Sequence, residues 1–143
     1  MLEQDYGKDG VLTEEEIKGI TSIGVHSKTI SSLKGIEYFT ALTVLSCWNN
    51  QLTVLDLSKN TALTNLSCSN NQLTELDVSK NTALTELRCD NNLLTSLNVS
   101  KNTVLTELLC HENQLTALDV SNTALKTLYC YKNQLTTLDV SKN

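Results

Sequence analysis

The sequence predicts a solenoid, a fold in which short turns of chain stack on one another around one shared core. From Leu42 to Asn143 a unit of 21 residues recurs, with leucine and cysteine at the same places in each copy. A unit this short cannot bury its own apolar residues, so they become buried only when turns stack. Apolar and polar residues alternate in both halves of the unit, which is typical of strands. We therefore expect a right-handed repeat solenoid with two short parallel β-strands per 21-residue turn and a short N-terminal helix.

Leucines one turn apart are predicted to lie directly above one another and to form the core. One column opens each unit, a second follows three residues later, and a third lies in the second half of the unit. The columns are Leu42, Leu63, Leu84, Leu105 and Leu125; Leu45, Leu66, Leu87, Leu108 and Leu128; and Leu55, Leu76, Leu97, Leu118 and Leu138. The pattern L-x-x-L-x-C-x-x-N-x-L followed by L-x-x-L-D-V-S-x-N is that of a leucine-rich repeat.

Asparagines form two further columns at the corners where the chain must bend. The first column holds Asn50, Asn71, Asn92, Asn113 and Asn133, and the second holds Asn60, Asn81 and Asn102. An amide side chain supplies both a donor and an acceptor to corner peptides that no strand pairing satisfies. We interpret these asparagines as structural, with ligand binding as the alternative.

Five cysteines recur at one inward position of the first half of the unit. They are Cys47, Cys68, Cys89, Cys110 and Cys130. A free cysteine behaves as a small buried apolar residue, and stacked side chains point the same way, so we interpret the column as buried thiols. Disulfides and metal ligation are the alternatives, although the number is odd and no C-x-x-C pair is present. Strand alternation sends Cys110 and His111 to opposite faces, which excludes them as a paired nucleophile and base.

The turns differ from one another mainly on the outward side of the first half, which is the candidate binding surface. One outward column reads Ser46, Ser67, Arg88, Leu109 and Tyr129, and the next reads Trp48, Ser69, Asp90, His111 and Tyr131. Stacking alone needs uniform columns, whereas an irregular partner needs a different residue in each turn. Trp, Tyr and Arg often anchor interfaces, and a purely solvated face does not require an exposed leucine.

The predicted partner-binding residues are Trp48, Arg88, Asp90, Leu109, His111, Tyr129 and Tyr131. The alternative interpretation is that these are solvent positions that drifted after recent duplication of the turns. His111 taken alone fits a surface residue better than a ligand-binding one.

The nested pattern from Leu42 onward resembles the bacterial leucine-rich repeats of the IRREKO class. The preceding segment, ITSIGVHSKTISSLKGIEYFTA, resembles one 22-residue repeat of the internalin type. Its inward residues would be Ile20, Ile23, Val25, Ile30, Leu33, Ile36 and Phe39. The resemblance implies a non-catalytic module that binds a protein or another surface macromolecule, in a bacterial protein that is secreted or displayed at the cell surface. The alternative is a spacer that holds a downstream domain.

The segment DYGKDGVLTEEEI resembles an EF-hand calcium loop. Calcium takes six to eight oxygen ligands, and the resemblance implies that they come from Asp5, Asp9, the carbonyl of Val11, Thr13 and Glu16. Gly7 stands where the family usually supplies Asp or Asn, so we expect weak binding of a structural Ca²⁺. The alternative, compatible with the first, is an acidic start to a helix with Thr13 as N-cap and Glu16 completing a capping box.

Charge and hydropathy exclude several other classes of function. The first 16 residues carry six acidic residues and one basic residue, which accounts for the net charge of −5, and the remaining residues are balanced. A neutral repeat region argues against nucleic-acid binding, no apolar run is long enough to insert in a membrane, and no clustered acid, base and nucleophile indicate an enzyme. We expect residues 1–19 to cap residues 20–143, with no C-terminal cap, so that the last turn offers a second surface for association.

Overall fold

The structure, a computed structural model, describes residues 13–121 and 124–141. One helix, α1 (Glu14–Gly19), precedes a single parallel sheet of six strands in sequence order. The strands are β1 (Ser22–Gly24), β2 (Val44–Ser46), β3 (Asn65–Ser67), β4 (Glu86–Arg88), β5 (Glu107–Leu109) and β6 (Thr127–Tyr129). A 3₁₀ helix, Ile36–Tyr38, lies between β1 and β2. None of the helices in the described ranges is long and apolar enough to cross a membrane.

The strand register confirms that like residues lie above like residues. Leu45 pairs with Leu66, Leu66 with Leu87, and Leu87 with Leu108. In the central turns all three leucine columns are buried, as are Cys47, Cys68, Cys89 and Cys110. The repeat therefore folds as the predicted solenoid, with one continuous core from the first turn to the last.

The second predicted strand of each turn is not present in the described residues, and that expectation was wrong. Leu55 and Leu57 are buried and Asp56 is exposed, so the alternation correctly predicts which side chains face inward. No ladder forms there because the carboxylate of Asp56 accepts the N–H of Ser58 at 2.9 Å, and the N–H of Asn60 then bonds the carbonyl of Leu57. The chain turns immediately after Leu57, and each turn contributes one strand instead of two.

The first asparagine column ties each turn to the one before it. Asn71 Oδ1 accepts the N–H of Leu52 at 3.0 Å, while Nδ2 donates to the carbonyls of Cys47 at 3.1 Å and Cys68 at 3.0 Å. Asn92 and Asn113 repeat these bonds one and two turns later. The amides thus satisfy buried backbone groups that no strand pairs, which confirms their structural role.

The second asparagine column joins the second halves of the turns, where the backbone ladder is missing. Asn81 is fully buried, and its Nδ2 donates to the carbonyls of Leu57 at 3.1 Å and Asn60 at 2.9 Å. Asn102 makes the same two bonds to Val78 and Asn81. Side-chain amides therefore replace a strand ladder on this side of the solenoid.

The first described turn closes the N-terminal side of the core. Ile36 is buried there. Several further apolar side chains are half-buried and pack against the core: Ile23, Val25, Ile30, Leu33 and Phe39. Helix α1 begins with the predicted capping box, in which Thr13 Oγ1 accepts the N–H of Glu16 and Glu16 Oε2 accepts the N–H of Thr13 at 2.7 Å.

The cysteines are free thiols, as predicted. Four are buried, and Cys130 in the last turn is half-buried. Burial raises the pKa of Cys47 and of Cys110 to about 12, and raises the pKa of Cys68 and of Cys89 well above the usual range. The column is therefore protonated and unreactive at neutral pH.

Candidate protein-binding face

The outward side chains of β2 to β6, and of the residues directly after each strand, form one face, which we call the strand face. Neighbouring turns are about 4.8 Å apart along it, because they are joined as parallel strands. Trp48, Tyr129 and Tyr131 are 37%, 52% and 54% exposed. Large aromatic groups are thus available to a partner at both ends of the face.

Two aromatic stacks stand on the strand face. The ring of Trp48 lies parallel to the ring of His26 in the previous turn, with centroids 4.6 Å apart. His111 stacks on Tyr131 at 4.4 Å, and Tyr129 approaches the edge of His111 at 6.4 Å. His26 was not among the predicted residues, although pairing of Gly24 with Ser46 places it one turn below Trp48.

Asp90 lies between these stacks, and it is buried, contrary to the expectation of an outward, exposed position. Only 8% of the residue is exposed, because Ser69 and His111 cover it from the neighbouring turns. Asp90 Oδ1 accepts from Ser69 Oγ at 2.6 Å, and Oδ2 accepts from Asn91 Nδ2 at 3.2 Å. His111 Nε2 lies 3.6 Å from Oδ2.

Arg88 lies among carboxylates rather than free in solution. Its Nε is 2.7 Å from Glu86 Oε1, and its Nη2 is 2.9 Å from Glu107 Oε1. Glu86 in turn accepts from Asn65 Nδ2 at 2.8 Å. Arg88 alone was predicted, and the two glutamates were not, although they occupy one column at the start of successive strands.

Leu109 is half-buried and not exposed as predicted. It pairs in register with Arg88 on one side and Tyr129 on the other, so larger residues flank it in both neighbouring turns. Leu109 therefore lies beside Tyr129 at the C-terminal end of the strand face and is not a separate anchor.

Of the predicted calcium ligands, only Thr13 and Glu16 lie in the described ranges; Asp5, Asp9 and Val11 lie outside them. Thr13 Oγ1 donates to Glu16 Oε2 at 2.8 Å, so these two oxygens bond to each other within the capping box. Within residues 13–121 and 124–141, no group of three His, Cys, Asp or Glu side chains is placed to hold a metal.

The described side chains also show no arrangement suited to catalysis. Cys110 points into the core with its pKa raised to about 12, while His111 lies on the outer face. At the strand face Ser69 contacts the carboxylate of Asp90, and Asp90 in turn contacts His111, so the imidazole does not contact the serine. This arrangement can hold and recognise a ligand, but it does not activate a nucleophile.

A parallel solenoid with a leucine core, asparagine corners and a variable strand face defines the class of leucine-rich repeat proteins. Residues 40–81 match the family model described as Leucine Rich repeats (2 copies). Over 49 residues the chain is 47% identical to internalin J of Listeria monocytogenes. This match covers 34% of this chain and 5% of that protein.

Solved structures extend the similarity to almost the whole chain. The functional domain of internalin J from Listeria monocytogenes, reported to include a cysteine ladder, is 44% identical with a TM-score of 0.74, covering 92% of this chain and 34% of that one. A leucine-rich repeat protein of Leptospira interrogans is 25% identical with a TM-score of 0.79, covering 88% and 35%. The chain thus spans about a third of these solved relatives. It is similar to bacterial leucine-rich repeat proteins of the internalin-like kind.

Proposed function

We propose that this chain is a non-catalytic protein-binding module of a bacterial surface or secreted protein and that it recognises its partner through the strand face. The observation that carries the proposal is the contrast between a scaffold that is almost identical in every turn and one face on which each turn differs. That face presents exposed tryptophan and tyrosine, which supply large, rigid contact area.

The similarity to internalin J supports the architecture of this proposal. This chain has its own column of five free cysteines, and the internalin J domain is reported to include a cysteine ladder. In this chain a small apolar side chain at this position allows turns to stack closely, which keeps the strand face regular and rigid. A rigid face reduces the ordering cost of binding. We include adhesion at the cell surface in this proposal, because the resemblance to internalin-type repeats implies a surface or secreted protein.

The second candidate function is a structural spacer, favoured by the uniformity of the second half of every turn. In that case the strand face has no partner, and the solenoid only separates other parts of a longer protein. Association through the last turn is a related possibility, because Leu138 and Val140 there are 39% and 50% exposed.

Paired surface variants separate these functions. One variant carries Trp48→Ser, Arg88→Ser, Tyr129→Ser and Tyr131→Ser. Its control removes exposed apolar groups elsewhere through Val54→Ser, Leu93→Ser and Val104→Ser, positions that are 63%, 44% and 46% exposed. Both are compared with the parent for retention on immobilised extracellular proteins and on cultured cells, after circular dichroism shows that each is folded.

The binding-module proposal expects the strand-face variant to lose retention at least tenfold and the control to retain it. Equal retention by both variants would favour the spacer. If the control loses retention while the strand-face variant keeps it, a different face is used. Light scattering at several concentrations tests association through Leu138 and Val140.

We further propose that a structural Ca²⁺ binds the N-terminal segment through Asp5, Asp9, the carbonyl of Val11, Thr13 and Glu16. Calcium would fix the segment against the first turn by drawing these oxygens around one ion. Titration of calcium chloride should raise the melting temperature of the parent. The double variant Asp5→Asn, Asp9→Asn should abolish this rise, and Asp77→Asn in the second half of a repeat should not. A parent without any calcium-dependent shift would refute the proposal.

A further inference from the structure

The column that runs along the strand face through His26, Trp48, Ser69, Asp90, His111 and Tyr131 contains a gap. Aromatic rings occupy the two ends of the column. In the middle, Ser69 has a side chain too short to fill the space between Trp48 and Asp90. A shallow depression of about 280 Å³ opens here, lined by Trp48, Ser67, Ser69, Arg88 and Asp90 among others.

One wall of the gap is an uncovered aromatic surface. His26 stacks on Trp48 from the preceding turn, with the two rings within 4° of parallel. The opposite face of the indole therefore points along the column towards Ser69. Since the ring is 37% exposed and its next neighbour is a serine, this face is open to a ligand. The face of an indole is the most favourable aromatic surface for a cation.

The other wall carries a buried carboxylate, Asp90, which has no lysine or arginine partner among the described residues. Asp90 is 8% exposed, and its partners among the described residues are the neutral groups of Ser69 and Asn91 and the imidazole of His111. The nearby guanidinium of Arg88 is held by Glu86 and Glu107 instead. Buried carboxylates are normally paired with a cation, because burial without one is costly.

The floor of the gap offers an acceptor. Ser69 donates its hydroxyl hydrogen to Asp90 Oδ1 at 2.6 Å, which leaves the lone pairs of its oxygen for an incoming N–H group. Trp48 and Asp90 are two turns apart, or about 10 Å at the usual strand spacing. A cation over Ser69 would lie about 5 Å from each, within the reach of a cation–π contact.

The charge of the whole face favours the same ligand. Among its described side chains, Glu86, Asp90, Glu107 and Glu112 outnumber Arg88 and Lys132, so the face is acidic although the repeats are neutral overall. An acidic face attracts a basic partner and increases the rate of encounter.

We infer that the gap between Trp48 and Asp90 is a binding site for a basic side chain, lysine or arginine, that projects from the protein partner. The inference deepens the proposed function and rests on it. The ammonium or guanidinium group would contact the open face of Trp48, donate to Ser69 Oγ and neutralise Asp90. Trp48 then serves as a specificity-determining residue and not only as apolar contact area.

The experiment uses the fluorescence of Trp48, which is the single tryptophan of the chain. Nα-acetyl-lysine amide, Nα-acetyl-arginine amide and the uncharged Nα-acetyl-norleucine amide are titrated in turn into the folded chain at pH 7.5. The two cationic probes should change the emission in a saturable manner, with half-saturation in roughly the millimolar range expected of one side chain. The norleucine probe should not.

Variants assign the site. Asp90→Asn is nearly isosteric and should weaken the binding of the cationic probes at least tenfold. Ser69→Val, which fills the gap, should weaken their binding to the same extent. Asp77→Asn removes an exposed carboxylate outside the strand face and should leave the titration unchanged. An equal response to norleucine, or an unchanged titration in folded Asp90→Asn, would overturn the inference.

The two proposals can fail separately. If the strand-face variant loses partner binding while the probes do not bind, only this inference fails. If the probes bind but the strand-face variant keeps its partner, the proposed function fails instead.

Discussion

At the residue scale, the corner asparagines contribute to stability in a way that a leucine of similar size could not. In the first column, Asn71, Asn92 and Asn113 each accept one buried backbone N–H and donate to two carbonyls, so a single side chain satisfies groups in two turns. The sequence indicated this role because an amide has both donors and acceptors, and because the position is the same in every turn. It gave no indication of which backbone atoms are bonded, since that depends on how the turns are offset.

Replacing one corner asparagine should therefore be costly. Asn92→Ala leaves the N–H of Leu73 without its acceptor at 3.0 Å and removes one of the two amide donors to each of the carbonyls of Cys68 and Cys89. We expect a loss of about 3 kcal/mol in the free energy of unfolding. Urea denaturation followed by circular dichroism measures it. The exposed neighbour Gln72→Ala is the control and should change stability by less than about 0.5 kcal/mol.

A second residue-scale prediction concerns backbone strain. After the strands, Asn49, Asn70 and Asn91 adopt left-handed backbone angles near φ 55°, and Glu112 adopts the same conformation with φ 55°. Asparagine tolerates this region better than glutamate. Glu112→Asn should raise the free energy of unfolding by roughly 0.5–1 kcal/mol, even though it removes the ion pair with Lys132.

That ion pair raises the pKa of Lys132 but joins partly exposed side chains. Exposed pairs of this kind contribute little to stability. A melting temperature that falls in Glu112→Asn would show that the ion pair, and not the backbone, decides stability at this corner.

At the scale of elements, the two halves of a turn differ in the partners of their backbone N–H and C=O groups. Both halves alternate apolar and polar residues, so the sequence predicted a strand in each. Only the first half pairs its backbone with neighbouring turns, because the aspartate in L-D-V bonds the N–H two residues later and turns the chain. Alternation reports which side chains face inward, but it does not report whether a ladder forms.

The column of cysteines makes stability depend on alkaline pH. Burial raises the pKa of Cys47 and Cys110 from 9.0 to about 12, so the folded chain keeps their protons where the unfolded chain loses them. Their contribution is complete below pH 9 and is lost as the pH rises towards 12. The slope is about 1.4 kcal/mol per thiol per pH unit. Urea midpoints should fall steeply from pH 9 to 10.5.

Cys68 and Cys89, whose pKa values are also raised by burial, provide the matched test. The double variant Cys68→Val, Cys89→Val keeps apolar groups of similar size but has no thiol to ionise at these positions. Its stability should decline less between pH 9 and 10.5 than that of the parent. Parallel declines would show that other groups cause the alkaline unfolding.

At the scale of the whole molecule, a fixed period determines the core, and irregular outward residues determine what the solenoid can recognise. The register of the leucine columns followed directly from the period, because identical units stack with identical residues in contact. The burial of Asp90 and the stacking of His26 on Trp48 did not follow, since each depends on the neighbours one turn above and below. The first turn also has 22 residues where most others have 21, which hid His26 from comparison.

Oxidative footprinting with hydroxyl radicals tests most directly whether the strand face is the recognition surface. A bound partner protein should protect Trp48, Tyr129 and Tyr131 several-fold from oxidation. Tyr38, which is 68% exposed and lies outside the strand face, should be oxidised at the same rate with and without the partner. Protection of Tyr38 together with unchanged oxidation of the other three aromatic side chains would contradict this account of the protein.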